Sequence, residues 1–108
     1  MPLALVGMPS MTTTSGGTTS SVIRQFDDAW ALTIYLPTTL TSTSVTIDVE
    51  PSSTGTSFVT LQSGGTDVVM VAGRATVISP VPFSQMRVVC GAAEGADRTF
   101  RVTKTILT

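Results

Sequence analysis

The stretch QMRVVCGAAEGADRTFRVTKTI, from Gln85 to Ile106, decides the fold. Met86 and Val88 alternate with Arg87 and Val89 before Cys90, and Phe100 and Val102 alternate with Arg101 and Thr103. A period of two is the signature of a strand with one face in a core. Between the two runs lies a loop of small residues that ends in Gly95-Ala96-Asp97-Arg98. The stretch therefore predicts two strands joined by a loop, with no room for a helix.

The same pattern extends upstream. Val45, Ile47 and Val49 alternate with Thr46, Asp48 and Glu50 until Pro51 stops the run. Trp30, Leu32 and Ile34 alternate with Ala31, Thr33 and Tyr35 ahead of Pro37. Shorter candidates are Ser21 to Phe26, ended by Asp27-Asp28, then Phe58 to Gln62, Asp67 to Val71 and Arg74 to Ile78. Ala72-Gly73 suits a hairpin or bend, Ser63-Gly64-Gly65 a turn, and Gly55 a turn position with positive φ. In SPVPF, Ser79 to Phe83, two prolines exclude a regular strand, so the segment predicts an extended crossing with Phe83 plugged into the core. Seven or eight short strands and no helix predict a single antiparallel β-sandwich, jelly-roll-like, over residues 21–108. Its expected core is Trp30, Leu32, Ile34, Val45, Ile47, Val49, Phe58, Val69, Val71, Val77, Met86, Val88, Phe100 and Val102.

Residues 1–20 stand apart. Met1 to Met11 is apolar and punctuated by proline, and TTTSGGTTSS, Thr12 to Ser21, is low in complexity and predicts flexibility. Leu3, Leu5, Val6 and Met8 are an odd choice for a tail that stays in water. The segment is either a frayed end, a first strand of the sheet, or an extended arm that docks onto a neighbouring subunit.

Composition narrows the function. The chain of 108 residues carries six basic and seven acidic residues, no histidine and one cysteine, Cys90. With a single lysine and scattered arginines it lacks the basic cluster that phosphate neutralisation requires, so nucleic acid is not an expected partner. No apolar run reaches membrane-span length. The N-terminus lacks the basic region of a signal peptide, which fits assembly inside the cell that makes the protein. Without histidine there is no Ser-His-Asp or Cys-His arrangement, and zinc would lack ligands. Asp48, Glu50 and Asp67 lack the spacing of a calcium loop, and Asp27-Asp28 is a turn pair. The expectation is a protein without catalysis, cofactor, metal or small-molecule substrate. Cys90 reads as a small buried strand residue. Trp30 and Tyr35, five positions apart, predict opposite faces and no flat platform for a glycan.

Three segments carry a resemblance: TGTSFVTLQSGG from Thr54 to Gly65, SPVPF from Ser79 to Phe83, and Ala96-Asp97-Arg98-Thr99 leading the final strand. In this order, over about Ser20 to Ile106, they resemble small tailed-phage capsid decoration (cement) proteins. The chain departs from that pattern at Ser84-Gln85-Met86, where an aromatic residue or Gly-Trp is common, and Met1 to Met11 lies outside it. The resemblance implies a β-sandwich on the virion exterior, made in the host cytoplasm, that binds the major capsid protein across capsomer junctions, often as a trimer or dimer. It would place the arm residues Leu3, Leu5, Val6 and Met8, and a salt bridge from Arg98, on the shell. The residues alone give Arg98 a second reading, in which Asp97 caps a turn and Arg98 pairs with it or with a cross-strand group. A small receptor- or glycan-binding sandwich of a fibre, tail or head appendage is the alternative function.

Overall fold

The computed structural model describes residues 2–24 and 28–107. Eleven strands and no helix are found among them. In chain order they are β1 (Leu3–Gly7), β2 (Met11–Thr13), β3 (Ile23–Arg24), β4 (Ala29–Tyr35), β5 (Val45–Glu50), β6 (Val59–Thr60), β7 (Gln62–Ser63), β8 (Thr66–Asp67), β9 (Ala75–Ile78), β10 (Gln85–Cys90) and β11 (Arg98–Leu107). The larger sheet runs β1-β11-β4-β9, with β2 also on β11; the smaller runs β3-β10-β5-β6, and β7 with β8 forms a hairpin. All pairings are antiparallel. Successive strands cross between the two sheets in the order of a jelly roll, so the expected sandwich is the observed one.

Alternation explains which strands met. Met86, Val88 and Cys90 on β10 stand opposite Val49, Ile47 and Val45 on β5, and all six point into the core. On the facing sheet Leu32, Ile34, Phe100 and Val102 complete it, together with Phe83 from the SPVPF crossing. Burying side chains of this size contributes roughly 1.5–3 kcal/mol each.

The core differs from expectation at five positions. Trp30 is 51% exposed. The register between β4 and β11 slips at Thr105/Ile106, where Thr105 faces Ala31 and Ile106 faces Ala29. The extra residue of this β-bulge breaks the alternation, and Trp30 loses the inward phase it would share with Leu32 and Ile34. Val69 and Val71 are exposed because Met70 bridges Val45 and takes the inward position. Val77 is exposed for the same reason of parity, its neighbour Ile78 being buried. Phe58 is half-buried outside the core, its ring 4.4 Å from the Arg87 guanidinium carbon.

Much of the N-terminal segment is paired into the larger sheet. Leu3 to Gly7 pair with Leu107 to Thr103, and Met11 to Thr13 with Phe100 to Arg98. Strands β1 and β2 thus lie in tandem along one flank of β11, with Pro9 at the break between them. Met11 and Thr13 are buried. The low-complexity segment is also tied down: the Gly16 amide donates to the Glu94 carbonyl at 2.7 Å, and the Cys90 amide to the Thr18 carbonyl at 2.7 Å. It carries the chain from the larger sheet to the smaller. The first-strand reading therefore holds for residues 3–13. Of the strand expected from Ser21 to Phe26, Ile23–Arg24 is a strand among the described residues, and Gln25, Phe26 and Asp27 lie outside them.

Two turns show what glycine supplies. Gly64 and Gly65, with φ of 63° and 82°, join β7 to β8 in a two-residue hairpin loop that needs positive φ at both positions. Gly55 is needed instead for space, since a Cβ there would fall 2.5 Å from the Glu50 carboxyl carbon. That carboxylate, buried, accepts the amides of Ser52 at 3.0 Å and Ser57 at 2.9 Å and so holds the turn after β5. Between Val71 and Arg74 the chain passes from the smaller sheet to the larger, so Ala72-Gly73 is a bend rather than a hairpin.

Candidate docking face

The two outer faces of the sandwich differ in chemistry. Along β11, Val102 points inward, so Arg101, Thr103, Thr105 and Leu107 point outward. Their opposed residues share that face: Leu3, Leu5 and Gly7 on β1, and Tyr35 and Thr33 on β4, followed by Ala75 and Val77 on β9. Leu5 is 67% and Val77 65% exposed, and Leu3, Leu107 and Tyr35 are also exposed. Arg101 is the one ionisable group besides the Tyr35 phenol on this set of residues. The face is a plane of large apolar groups spaced by threonine hydroxyls, with the Tyr35 hydroxyl 3.4 Å from that of Thr103. A groove of about 430 Å³ opens on it, lined by Leu5, Gly7, Met8, Tyr35, Arg101 and Thr103 among others. A second cleft of about 250 Å³ lies between Val77 to Pro80 and the β7–β8 hairpin.

The outer face of the smaller sheet carries charged groups paired within the chain, with Val69 and Val71 exposed beside the inward Met70. The Arg87 guanidinium donates to Asp48 at 3.1 Å, and Thr60 donates to the other Asp48 oxygen at 3.5 Å. Asp48 is thus engaged, Glu50 is buried in its turn, and Asp67 accepts from Gln62 at 2.8 Å. Among the described residues no group of three or more His, Cys, Asp or Glu side chains is placed to hold a metal ion.

The residues expected to bind a shell separate into three groups. Leu3 and Leu5 lie on the apolar outer face. Val6 alternates with them and turns to the other side of the sheet, while Met8 packs against the core. Arg98 is structural: its Nε donates to Glu94 Oε1 at 2.9 Å, and its side chain is 17% exposed. Asp97 instead accepts the Ser15 amide at 2.8 Å, capping the N-terminal crossing. The salt bridge expected from Arg98 to an outside partner is therefore already occupied within the chain.

Glu94 is the centre of that arrangement. The residue is 1% exposed, and its carboxylate accepts the Thr41 amide at 2.8 Å, the Ser42 amide at 2.9 Å and the Ser42 hydroxyl at 2.6 Å as well as Arg98. Burial pushes its pKa up, but the hydrogen bonds from Ser42, the Thr41 amide and Arg98 outweigh this and hold it at about 2. This clasp fastens the loop before β5 to the loop before β11. The spacing of Glu94 and Arg98 by four was visible in the sequence, but the donors at Thr41 and Ser42 come from fifty residues away. Val77 and Leu107 were also missed as surface groups; the only signal for them was strand parity, which already sets Tyr35 away from the core.

No family model matches the chain, and no curated protein matches it. Among solved structures, it is similar to a chain of the Bacillus endospore appendages, which form a family of disulfide-linked pili. The TM-score is 0.53 at 14% identity, over 96% of this chain and 87% of that one. This likeness supports the all-β sandwich.

Proposed function

We propose that this chain is a non-catalytic structural subunit that decorates the exterior of a tailed-phage capsid. It would lay the outer face of its larger sheet across junctions between major capsid proteins. The observation that carries the reading is the outer face of the larger sheet, where Leu3, Leu5, Leu107, Tyr35 and Val77 are exposed among threonines, while the smaller sheet carries its own Arg87–Asp48 ion pair. Contiguous apolar surface of this kind marks an interaction site in a soluble fold. Threonines between the apolar groups can be buried against a partner without the desolvation cost of ion pairs. The ordered resemblance over Ser20 to Ile106 supplies the identity of the partner. Repetition over a lattice multiplies a modest energy per site. The test is sedimentation of the purified chain with undecorated shells of the virus that encodes it. Saturation at hundreds of copies per shell is expected, and no co-sedimentation at micromolar protein would defeat the proposal.

A second reading gains one observation. The bulge that exposes Trp30 leaves two aromatic rings, Trp30 and Tyr35, accessible on β4. Such rings can stack on sugars, so the glycan-binding alternative is tested by a glycan array with the Trp30→Ala variant as control.

A further inference from the structure

Among the described residues the longest open edge belongs to β1. It ends the strand order of its sheet, and among the described residues nothing pairs with its far side. The other open edges are poorer. Strands β3 and β6 have two residues each. At the opposite end of the larger sheet, β9 has four residues, preceded by Arg74 and followed closely by Pro80. Strand β1 has five residues, LALVG, with neither charge nor proline inside. Natural sheets blunt such edges with charge, proline, a bulge or a covering element. Here Pro2 and Pro9 flank the strand, but no charge or proline interrupts the five paired residues themselves.

The hydrogen-bond parity of β1 is fixed by its neighbour. The Met8 amide donates to the Val102 carbonyl at 3.0 Å. The register continues that pair two residues at a time, through Val6 with Lys104 and Ala4 with Ile106. In an antiparallel ladder these residues turn their backbone groups to β11, which leaves the N–H and C=O of Leu3, Leu5 and Gly7 directed away from the sheet. By the same argument from the Leu36 amide and the Arg74 carbonyl, 3.1 Å apart, β9 directs outward only Ala75 and Val77.

We propose that β1 is a self-association edge, at which a second copy of this chain pairs β1 to β1, antiparallel, about a two-fold axis through Leu5. That register sets Leu5 opposite its own equivalent, and Leu3 opposite Gly7 of the partner subunit. All three outward-directed residues of each copy are then used, forming about six backbone hydrogen bonds, two for each opposed pair. Any shift along the edge leaves some of them unpaired. The side chains agree with the backbone. A Cβ at Gly7 would meet no atom within 4 Å, so the side chain of Leu3 from the partner subunit enters open space there. No charged side chain occurs before Arg24, and the net charge is −1, so nothing at this edge repels a second copy. A two-fold contact closes at two subunits, whereas pairing β1 to β9 would run on as an open array. The dimer joins two larger sheets into one and doubles the apolar outer face. It does not depend on what that face binds.

The test uses the whole chain in solution without any shell. Leu5→Cys should cross-link as a dimer under mild oxidation, because the opposed Cα atoms would lie roughly 5.5 Å apart. Leu3→Cys, facing glycine, should cross-link far less, and buried Cys90 should stay out of the reaction. In sedimentation velocity the unmodified chain should be dimeric. Leu5→Pro removes only an outward N–H, so it should be monomeric with an unchanged circular dichroism spectrum. The proposal is overturned by a monomeric unmodified chain whose Leu5→Cys variant does not cross-link. It is also overturned by equal cross-linking of Leu3→Cys and Leu5→Cys, or by a folded Leu5→Pro variant that remains dimeric.

Discussion

Replacing Glu94 by glutamine changes one atom and should cost more than most core truncations of a single methylene. The carboxylate accepts four hydrogen bonds, from the Thr41 amide, the Ser42 amide, the Ser42 hydroxyl and Arg98. Glutamine offers one oxygen. If that oxygen stays with Thr41 and Arg98, its NH₂ group points at the Ser42 amide, and a buried donor is orphaned at about 1–3 kcal/mol. If the amide flips, Thr41 and Arg98 lose their acceptor instead. Arg98 loses its counter-charge either way, and breaking a buried pair from one side costs about 3–5 kcal/mol. The expected loss is about 3 kcal/mol, or about 12 °C in Tm at roughly 4 °C per kcal/mol for a domain of this size. Calorimetry at pH 7 checks it. The pH profile gives an independent check. The carboxyl, whose ordinary pKa is 4.5, is held at about 2 in the folded chain. The folded pKa is the lower one, so the stabilisation is complete above about pH 4.5 and is lost as the pH falls through 2. The wild-type chain should lose stability between pH 4.5 and 2 more steeply than Glu94→Gln, which gains no proton there. A Tm within about 3 °C of wild type, or parallel pH profiles, would refute the clasp.

Three further outcomes follow from the fold. Gly55→Ala should destabilise by about 1–3 kcal/mol, because the new methyl collides with the Glu50 carboxylate, and urea unfolding measures it. Removing residues 1–13 should abolish or broaden the cooperative melt, since Met11 alone is worth about 2–5 kcal/mol when truncated, and both strands beside β11 go with it. Cys90, whose thiol pKa is pushed up chiefly by burial, should react with Ellman's reagent only as fast as the chain unfolds. Rapid labelling in native buffer would contradict its place in the core.

How much could be read beforehand follows from how local each signal is. Strands β5, β10 and β11 were legible because residues such as Val, Ile, Met or Phe recur at every second position, with Arg, Thr or Asp mostly between them, a pattern that reads as a strand. The run Val68 to Val71 has no polar residue to set the phase, so Met70 could not be singled out as the inward member. Trp30 was placed wrongly because a bulge depends on the partner strand, here at Thr105 and Ile106. The N-terminal strands were hidden for a similar reason, since Leu3 finds its partner at Leu107, at the other end of the sequence. The candidate face was half legible. Leu3 and Leu5 stood out as apolar residues in an odd place, but only the topology brings Tyr35 and Val77 into the same plane. Arg98 stood out beside Asp97, with the shell, Asp97 or a cross-strand group as its partner, whereas the chain pairs it with Glu94, which became significant only with Thr41 and Ser42 around it.

The claim that the outer face of the larger sheet docks on a shell is tested most directly by one variant on that face, away from the β1 edge. Val77 is 65% exposed, so Val77→Glu should leave the fold intact, which circular dichroism would verify. Burying a valine contributes roughly 1.5–3 kcal/mol, which corresponds to about a tenfold to hundredfold change in Kd. In a titration of undecorated shells, quantified by sedimentation, the wild-type chain should saturate at hundreds of copies per shell. Val77→Glu should need at least about tenfold more protein to reach the same occupancy. Identical binding curves for a folded Val77→Glu and the wild type would contradict the account.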